Sequence, residues 1–207
     1  MMRHPAFTQL LAAAALAAAF GTAQAGAVDA LKTFNADADG LSGSFTQTVQ
    51  NKKRTQTSSG TFQIQRPGLF KWEYTRPGRQ LIIGDGKTVW HYDAELKQAV
   101  KSDQKQAIGS SPAAILADKS ALDTGYALKE DGSADGVDYV LATPKSSNAG
   151  YKSIRIGFKD GQLAAMQLQD SFGNRTQIRF ANLNTQPNLS ASQFRFTPPK
   201  GVDVMSR

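Results

Sequence analysis

Few residues in this chain are equipped to break bonds. It has two histidines, His4 and His91, and no cysteine. Without thiols or paired imidazoles, a zinc site of the usual His/Cys spacing has nothing to build on. The patterns HExxH, GxSxG, Walker A and GxGxxG do not occur. A Ser-His-Asp triad would have to recruit His91, in the run VWHYD, with no local signature around it. Glu73, Asp85, Asp93 and Asp170 can pair as carboxylates only through the fold, and Asp85 is better explained by a turn. The pattern that does stand out is apolar. In RPGLFKWEYTRPGRQ, residues 66–80, alternation puts Phe70, Trp72 and Tyr74 on one strand face and Lys71 and Glu73 on the other. Just upstream, GTFQIQR puts Phe62, Ile64 and Arg66 on one face. Such a surface binds rather than reacts. It is either an ordinary core wall or a wall against an apolar ligand.

Strands must position those side chains, and the period of two runs through most of the chain. After GSFTQTVQ, GTFQIQR and LFKWEYT come RQLIIGD and KTVWHYD, joined at Asp85-Gly86. YALKED and VDYVLATP follow, with Asp131-Gly132 and Asp135-Gly136 between them. YKSIRIGF and QLAAMQLQD meet at Asp160-Gly161, RTQIRFANL follows Gly173-Asn174, and SQFRFTPP is last. Such pairs tolerate positive φ and favour hairpins. The reading is mainly β: about ten or eleven strands in hairpin order, as one large antiparallel sheet or an open barrel. QIRF and SIRIGF set apolar residues on one face and arginines on the other, so one face needs a cover. Two helical patterns can supply it. VDALKTFNADAD spaces Val28, Leu31 and Phe34 at helical intervals. SSPAAILADKSAL, residues 110–122, is predicted as a short inserted helix, with Ser111 at the N-cap, Pro112 at the first position and Ile115 and Leu116 on its apolar flank.

The totals bound the rest. The 207 residues are 40% hydrophobic and 20% charged, which suits one domain with a real core. Residues 1–25 read as a secretory signal peptide: Arg3 and His4, the apolar run LLAAAALAAAF, then small residues up to Ala25. That leaves 26–207 as a single soluble domain. The absence of cysteine rules out a disulfide framework and an acylated N-terminal cysteine. The net charge of +7 points to anionic partners, such as a membrane surface or an acidic protein. Outside the cytoplasm nucleic acid is not expected.

RPGLFKWEYTRP, DGKTVWHYD, LQDSFGNRTQIRF and FRFTPPKGVDV together, in this order, resemble the LolA family of periplasmic lipoprotein carriers. The resemblance implies an unclosed β-barrel, a half-barrel whose apolar concave face is covered by a lid of short helices. It implies a monomeric periplasmic shuttle without catalytic activity. Its cargo would be acylated lipoproteins, taken from an ATP-driven exporter of the inner membrane and handed to a receptor on the outer membrane. Burying acyl chain is worth about 0.8 kcal/mol per CH₂, so one long chain is worth on the order of 10 kcal/mol and cannot cross water unaided. A lid that hides the empty surface also competes with cargo and so permits release.

Under this resemblance Arg66 is the lid latch. On spacing alone it reads as a turn arginine before Pro67, yet its parity is that of Phe62 and Ile64. A guanidinium there can donate to helix carbonyls without an acidic partner. Phe62, Ile64, Phe70 and Trp72 become the acyl-chain wall, Tyr74 a rim residue through its hydroxyl, and Ile115 and Leu116 the lid. Leu81, Ile82 and Ile83 are apolar on both faces. Two other readings stay open: a periplasmic sensor or adaptor for acylated ligands, and a hydrolase with His91 beside a serine and a carboxylate.

Overall fold

Two-residue turns of the expected kind close the hairpins. At Asp135-Gly136 and Asp160-Gly161 both residues take positive φ, 55° and 73° in the first, 51° and 75° in the second. The computed structural model describes residues 26–107, 111–147 and 149–206. The expected signal peptide lies outside the described residues.

The chain opens with helix α1 (Ala27–Asp37). Six strands follow: β1 (Gly40–Gln50), β2 (Thr55–Gln65), β3 (Leu69–Arg76), β4 (Gln80–Asp85), β5 (Thr88–Asp93) and β6 (Gln98–Asp103). Three short helices interrupt them: α2 (Gln104–Ala107), α3 (Pro112–Ala117) and α4 (Lys119–Gly125). Then come β7 (Tyr126–Ala134), β8 (Val137–Pro144), β9 (Tyr151–Lys159), β10 (Gln162–Asp170), β11 (Arg175–Asn184) and, after a 3₁₀ turn at Ala191–Phe194, β12 (Asp203–Ser206). All twelve strands form one sheet in the order β12-β6-β5-β4-β3-β2-β1-β11-β10-β9-β8-β7. β1 pairs with β11 and closes the sequence of hairpins into one surface, while β7 and β12 are left as separate edges, so the barrel is unclosed.

The helices pack into the concave side and divide it. α1 lies against β7, β8, β9 and β10, and α3 lies against β2 and β3. One buried apolar cluster joins them. From α1 it takes Leu31 and Phe34, from α3 Ile115 and Leu116, and from the sheet Phe62, Ile64, Phe70, Trp72, Ile154 and Ile156.

The structure departs from the sequence reading at four points. SQFRFTPP is not a strand. Phe194 and Phe196 fold back as a strap over the outer face, where Phe194 is buried and Phe196 lies 5.5 Å from the Trp90 ring and 5.3 Å from the Tyr92 ring. Alternating aromatics covering a second apolar patch need no ladder partner. This also sorts the ambiguous run in β4: Ile82 packs on the concave cluster, and Leu81 faces the strap beside Tyr92 and Phe196. Next, QAVKSD forms β6, which its single buried apolar residue, Ala99, did not signal. Third, Asp131-Gly132 is not a turn but sits in an irregularity of β7, between Glu130 and Ser133. Fourth, the inserted helix is two. Asp118 ends α3 and caps α4, accepting bonds from the Ser120 amide (2.9 Å) and hydroxyl (2.8 Å). Ser111 stands at the N-cap of α3, but its side chain makes no capping bond.

Phe70 fits because residue 84 has no side chain. A Cβ on Gly84 would come within 2.4 Å of the Phe70 ring and 2.7 Å of Gln104 Oε1. Gly84→Ala is therefore expected to cost about 1–3 kcal/mol through overpacking. A urea melt should show a lower midpoint, and an unchanged midpoint would mean that the Phe70 ring can move aside.

Candidate functional site

Alternation in β2 and β3 builds the wall. Ile64 is the cross-strand partner of Phe70, and Phe62 of Trp72. Phe62 stacks on Trp72 at 5.4 Å, and Phe45 from β1 also meets Trp72, at 4.2 Å. Phe62, Ile64, Phe70, Trp72, Ile115 and Leu116 are all buried in the one cluster. Tyr74 is only partly buried, and its hydroxyl donates to Gln47 Oε1 at 3.3 Å. Burial raises the pKa of that hydroxyl.

Arg66 sits where the two helical covers meet. It is 7% exposed, with its backbone amide donating to Asp39 O at 2.8 Å. Its Nε donates to Leu116 O at 2.8 Å and its Nη1 to Ala38 O at 2.9 Å. Leu116 is near the end of α3, and Ala38 is the residue that ends α1. Both oxygens belong to the carbonyls that a helix C-terminus leaves unpaired and that carry its partial negative charge. One guanidinium thus satisfies two helix ends from different halves of the cover. Its plane also lies over the Phe34 ring, 5.1 Å from the centroid. Desolvation lowers its pKa to about 10, partly offset by the charges of Asp39 and Asp118, so it stays cationic at neutral pH.

The rest of the RPG turn is tied to the same helix end. Gly68 N donates to Ala117 O at 2.9 Å. Gln104, which is buried, donates to Gly68 O at 2.6 Å and accepts from Gly86 N at 3.0 Å. α1 is secured at both ends by side chains that match its dipole. The Glu130 carboxylate of β7 accepts from Ala27 N (3.0 Å) and Val28 N (2.9 Å). At the other end Lys119 Nζ donates to Ala36 O (3.2 Å) and Asp39 Oδ1 (2.6 Å). The hydrogen bond and charge of Lys119 hold the Asp39 carboxyl below its usual range.

Sequence reasoning missed Phe34 as the ring beneath Arg66 and the roles of Gln104, Glu130 and Lys119. Phe34 was visible as part of the α1 stripe. The three polar residues carried no local signal, since their partners, backbone groups and the Asp39 carboxylate, are distant in sequence.

The carboxylates considered for catalysis are occupied. Asp85 accepts from Lys87 N and Thr88 N, Asp93 from Glu95 N and Leu96 N, and Asp170 from Phe172 N and Asn174 N. Glu73 pairs with Lys71 at 3.3 Å. His91 is exposed on β5.

An open sheet, antiparallel except where the edge strand β12 runs parallel to β6, curved around an apolar side and stoppered by its own helices, defines a class of half-barrel. A solved structure of an uncharacterized conserved protein from Thermus thermophilus shares the fold, with a TM-score of 0.52 at 16% identity over 87% of this chain and 96% of that one. The family model described as outer membrane lipoprotein carrier protein LolA matches residues 36–197. An outer-membrane lipoprotein carrier protein of Neisseria meningitidis serogroup B is 68% identical over 206 residues, covering 100% of both chains. One from Chromobacterium violaceum is 46% identical over 98% of each. The chain belongs to the LolA family of outer-membrane lipoprotein carrier proteins.

Proposed function

We propose that this chain is a periplasmic carrier that shields the acyl chains of lipoproteins between the inner and outer membranes. The observation that carries the reading is the divided apolar cluster. The larger part of it belongs to the curved sheet and the rest to helices, two of whose ends converge on Arg66. A cover held by a few polar contacts can part from an apolar wall without unfolding the sheet behind it. Acyl chains then take the place of Ile115, Leu116 and their neighbours against Phe62, Ile64, Phe70 and Trp72. Each fully buried aliphatic lid residue is worth roughly 1.5–3 kcal/mol, so the lid offsets part of the transfer energy of cargo. Arg66 serves as the latch that returns the lid once cargo has left.

On this reading the chain works as a monomer, accepts cargo from an ATP-driven exporter and passes it to an outer-membrane receptor. Residues 1–25 are the leader that brings it to the periplasm. No described helix is long and apolar enough to cross a membrane. The test is release of a radiolabelled lipoprotein from spheroplasts on adding the purified chain. A soluble one-to-one complex with the acylated protein is expected. If the label stays with the membrane, the carrier reading fails.

A further inference from the structure

The two rims of the half-barrel differ in charge and in exposed apolar surface. The strand registers place Gly40, Gln65, Leu69 and Asp85 on the rim near Arg66, and Gln50, Thr55, Tyr74 and Gln80 toward the opposite rim. On the Arg66 rim the turns carry Asp39, Asp85, Asp135 and Asp160 among scattered lysines. The opposite rim is basic. The β1–β2 tip is Asn51-Lys52-Lys53-Arg54, all but Asn51 exposed. The β3–β4 turn adds exposed Arg76 and Arg79. Lys152 at the start of β9 and Arg175 at the start of β11 extend the arc. None of these seven is in an ion pair among the described residues. Of the acids on this rim, Asp93 and Asp170 are held within their own turns, leaving Glu95, Asp123 and Asp203.

The same rim carries the two most exposed large apolar side chains among the described residues. Phe172, at the β10–β11 tip, is 82% exposed, and Leu96, at the β5–β6 tip, is 67% exposed. Both tips are preorganised. Asp170 Oδ1 accepts from Phe172 N at 2.9 Å and Asn174 N at 2.8 Å, and Asp93 Oδ1 accepts from Leu96 N at 2.9 Å. Each aspartate fixes a loop that holds an apolar residue out into solvent.

We propose that this basic rim is a docking surface for an anionic phospholipid bilayer, with Phe172 and Leu96 entering the headgroup layer. Basic side chains around projecting apolar ones are the composition of an interfacial anchor. The bases are spread over separate loops along an arc, and the apolar tips protrude rather than line a groove. A deformable anionic layer fits that arrangement better than a folded acidic protein. Docking holds the carrier at the membrane surface with the Arg66 rim turned away. The inference rests on the distribution of charge and apolar tips, independent of what the hollow carries.

The test is co-sedimentation of the cargo-free chain with phosphatidylcholine vesicles containing phosphatidylglycerol, against pure phosphatidylcholine. Binding to the anionic vesicles alone, weakening as salt rises, is expected. Each basic residue is worth roughly a fivefold change in partition, so K52E/K53E/R54E should lower binding by at least about a hundredfold. Phe172→Ser should lower it severalfold at constant charge. Both variants sit on exposed tips, and an unchanged thermal melt will establish that they fold. K87E/K105E/K159E, with the same charge change near the Arg66 rim, should retain most of the binding. Equal loss in that variant would overturn the proposal, because net charge alone would then explain it. No binding to anionic vesicles would overturn it too. So would binding only to an acidic polypeptide such as polyglutamate, which would assign the rim to a protein partner.

Discussion

Arg66→Leu should leave the chain folded and slow to give up its cargo. Each hydrogen bond from a charged donor is worth about 1.5–3 kcal/mol, and Arg66 makes two, to Leu116 O and Ala38 O. Leucine returns the cost of burying the guanidinium but leaves both carbonyls without their donor. A net loss of about 3 kcal/mol in the closed state shifts the lid equilibrium toward open by about a hundredfold. On the proposed carrier reading closure competes with cargo, so the variant should hold acylated protein more tightly and transfer it at least tenfold more slowly. Hydrogen exchange in α3 should quicken while the sheet amides stay protected. Arg66→Lys keeps the charge but not the fork that reaches both carbonyls, so it should fall between the two. Transfer at the normal rate by Arg66→Leu would end the latch assignment.

Phe70→Glu is expected to have the second large effect, by a different route. Phe70 is fully buried, against Ile64, Gly84 and the helical cover. Losing the ring costs about 3–5 kcal/mol, and a carboxylate there is desolvated. The least costly relief is for the cover to lift and admit water, since the sheet behind Phe70 is fixed by ladders on both sides. The variant should bind an apolar fluorescent probe when empty and take up little lipoprotein. Phe70→Leu keeps the surface apolar and should behave nearly as the parent. Normal uptake and release by Phe70→Glu would remove Phe70 from the cargo wall.

Period-two alternation made most of this fold legible. It placed Phe62, Ile64, Phe70 and Trp72 on one face because strand parity is strict and one face is buried. It failed where no ladder was needed or no apolar residue marked one. SQFRFTPP alternates yet caps an outer patch, and QAVKSD pairs on both sides with Ala99 as its only buried residue. Arg66 was half legible. Its parity with Ile64 pointed inward, but its partners are backbone oxygens 28 and 50 residues away, which no side-chain pattern announces. The division of the cover into two helices was hidden because Asp118 both ends one helix and starts the next, a role that depends on local geometry.

Helix α1 has a mechanical consequence for the open sheet. Its amide end is gripped by Glu130 on β7, the last strand of the arc, and its carbonyl end by Arg66 just beyond β2. Eleven residues at a rise of about 1.5 Å make a rod of roughly 16 Å. It is the tie-rod of an arch. While both ends are fastened, β7 cannot draw away from the end of β2, although β3, β4, β5, β6 and β12 lie outside that span. Dilation must therefore come in a step, when one fastening lets go, and not by gradual stretching. The spacing between β7 and the end of β2 is thus set by the length of one helix.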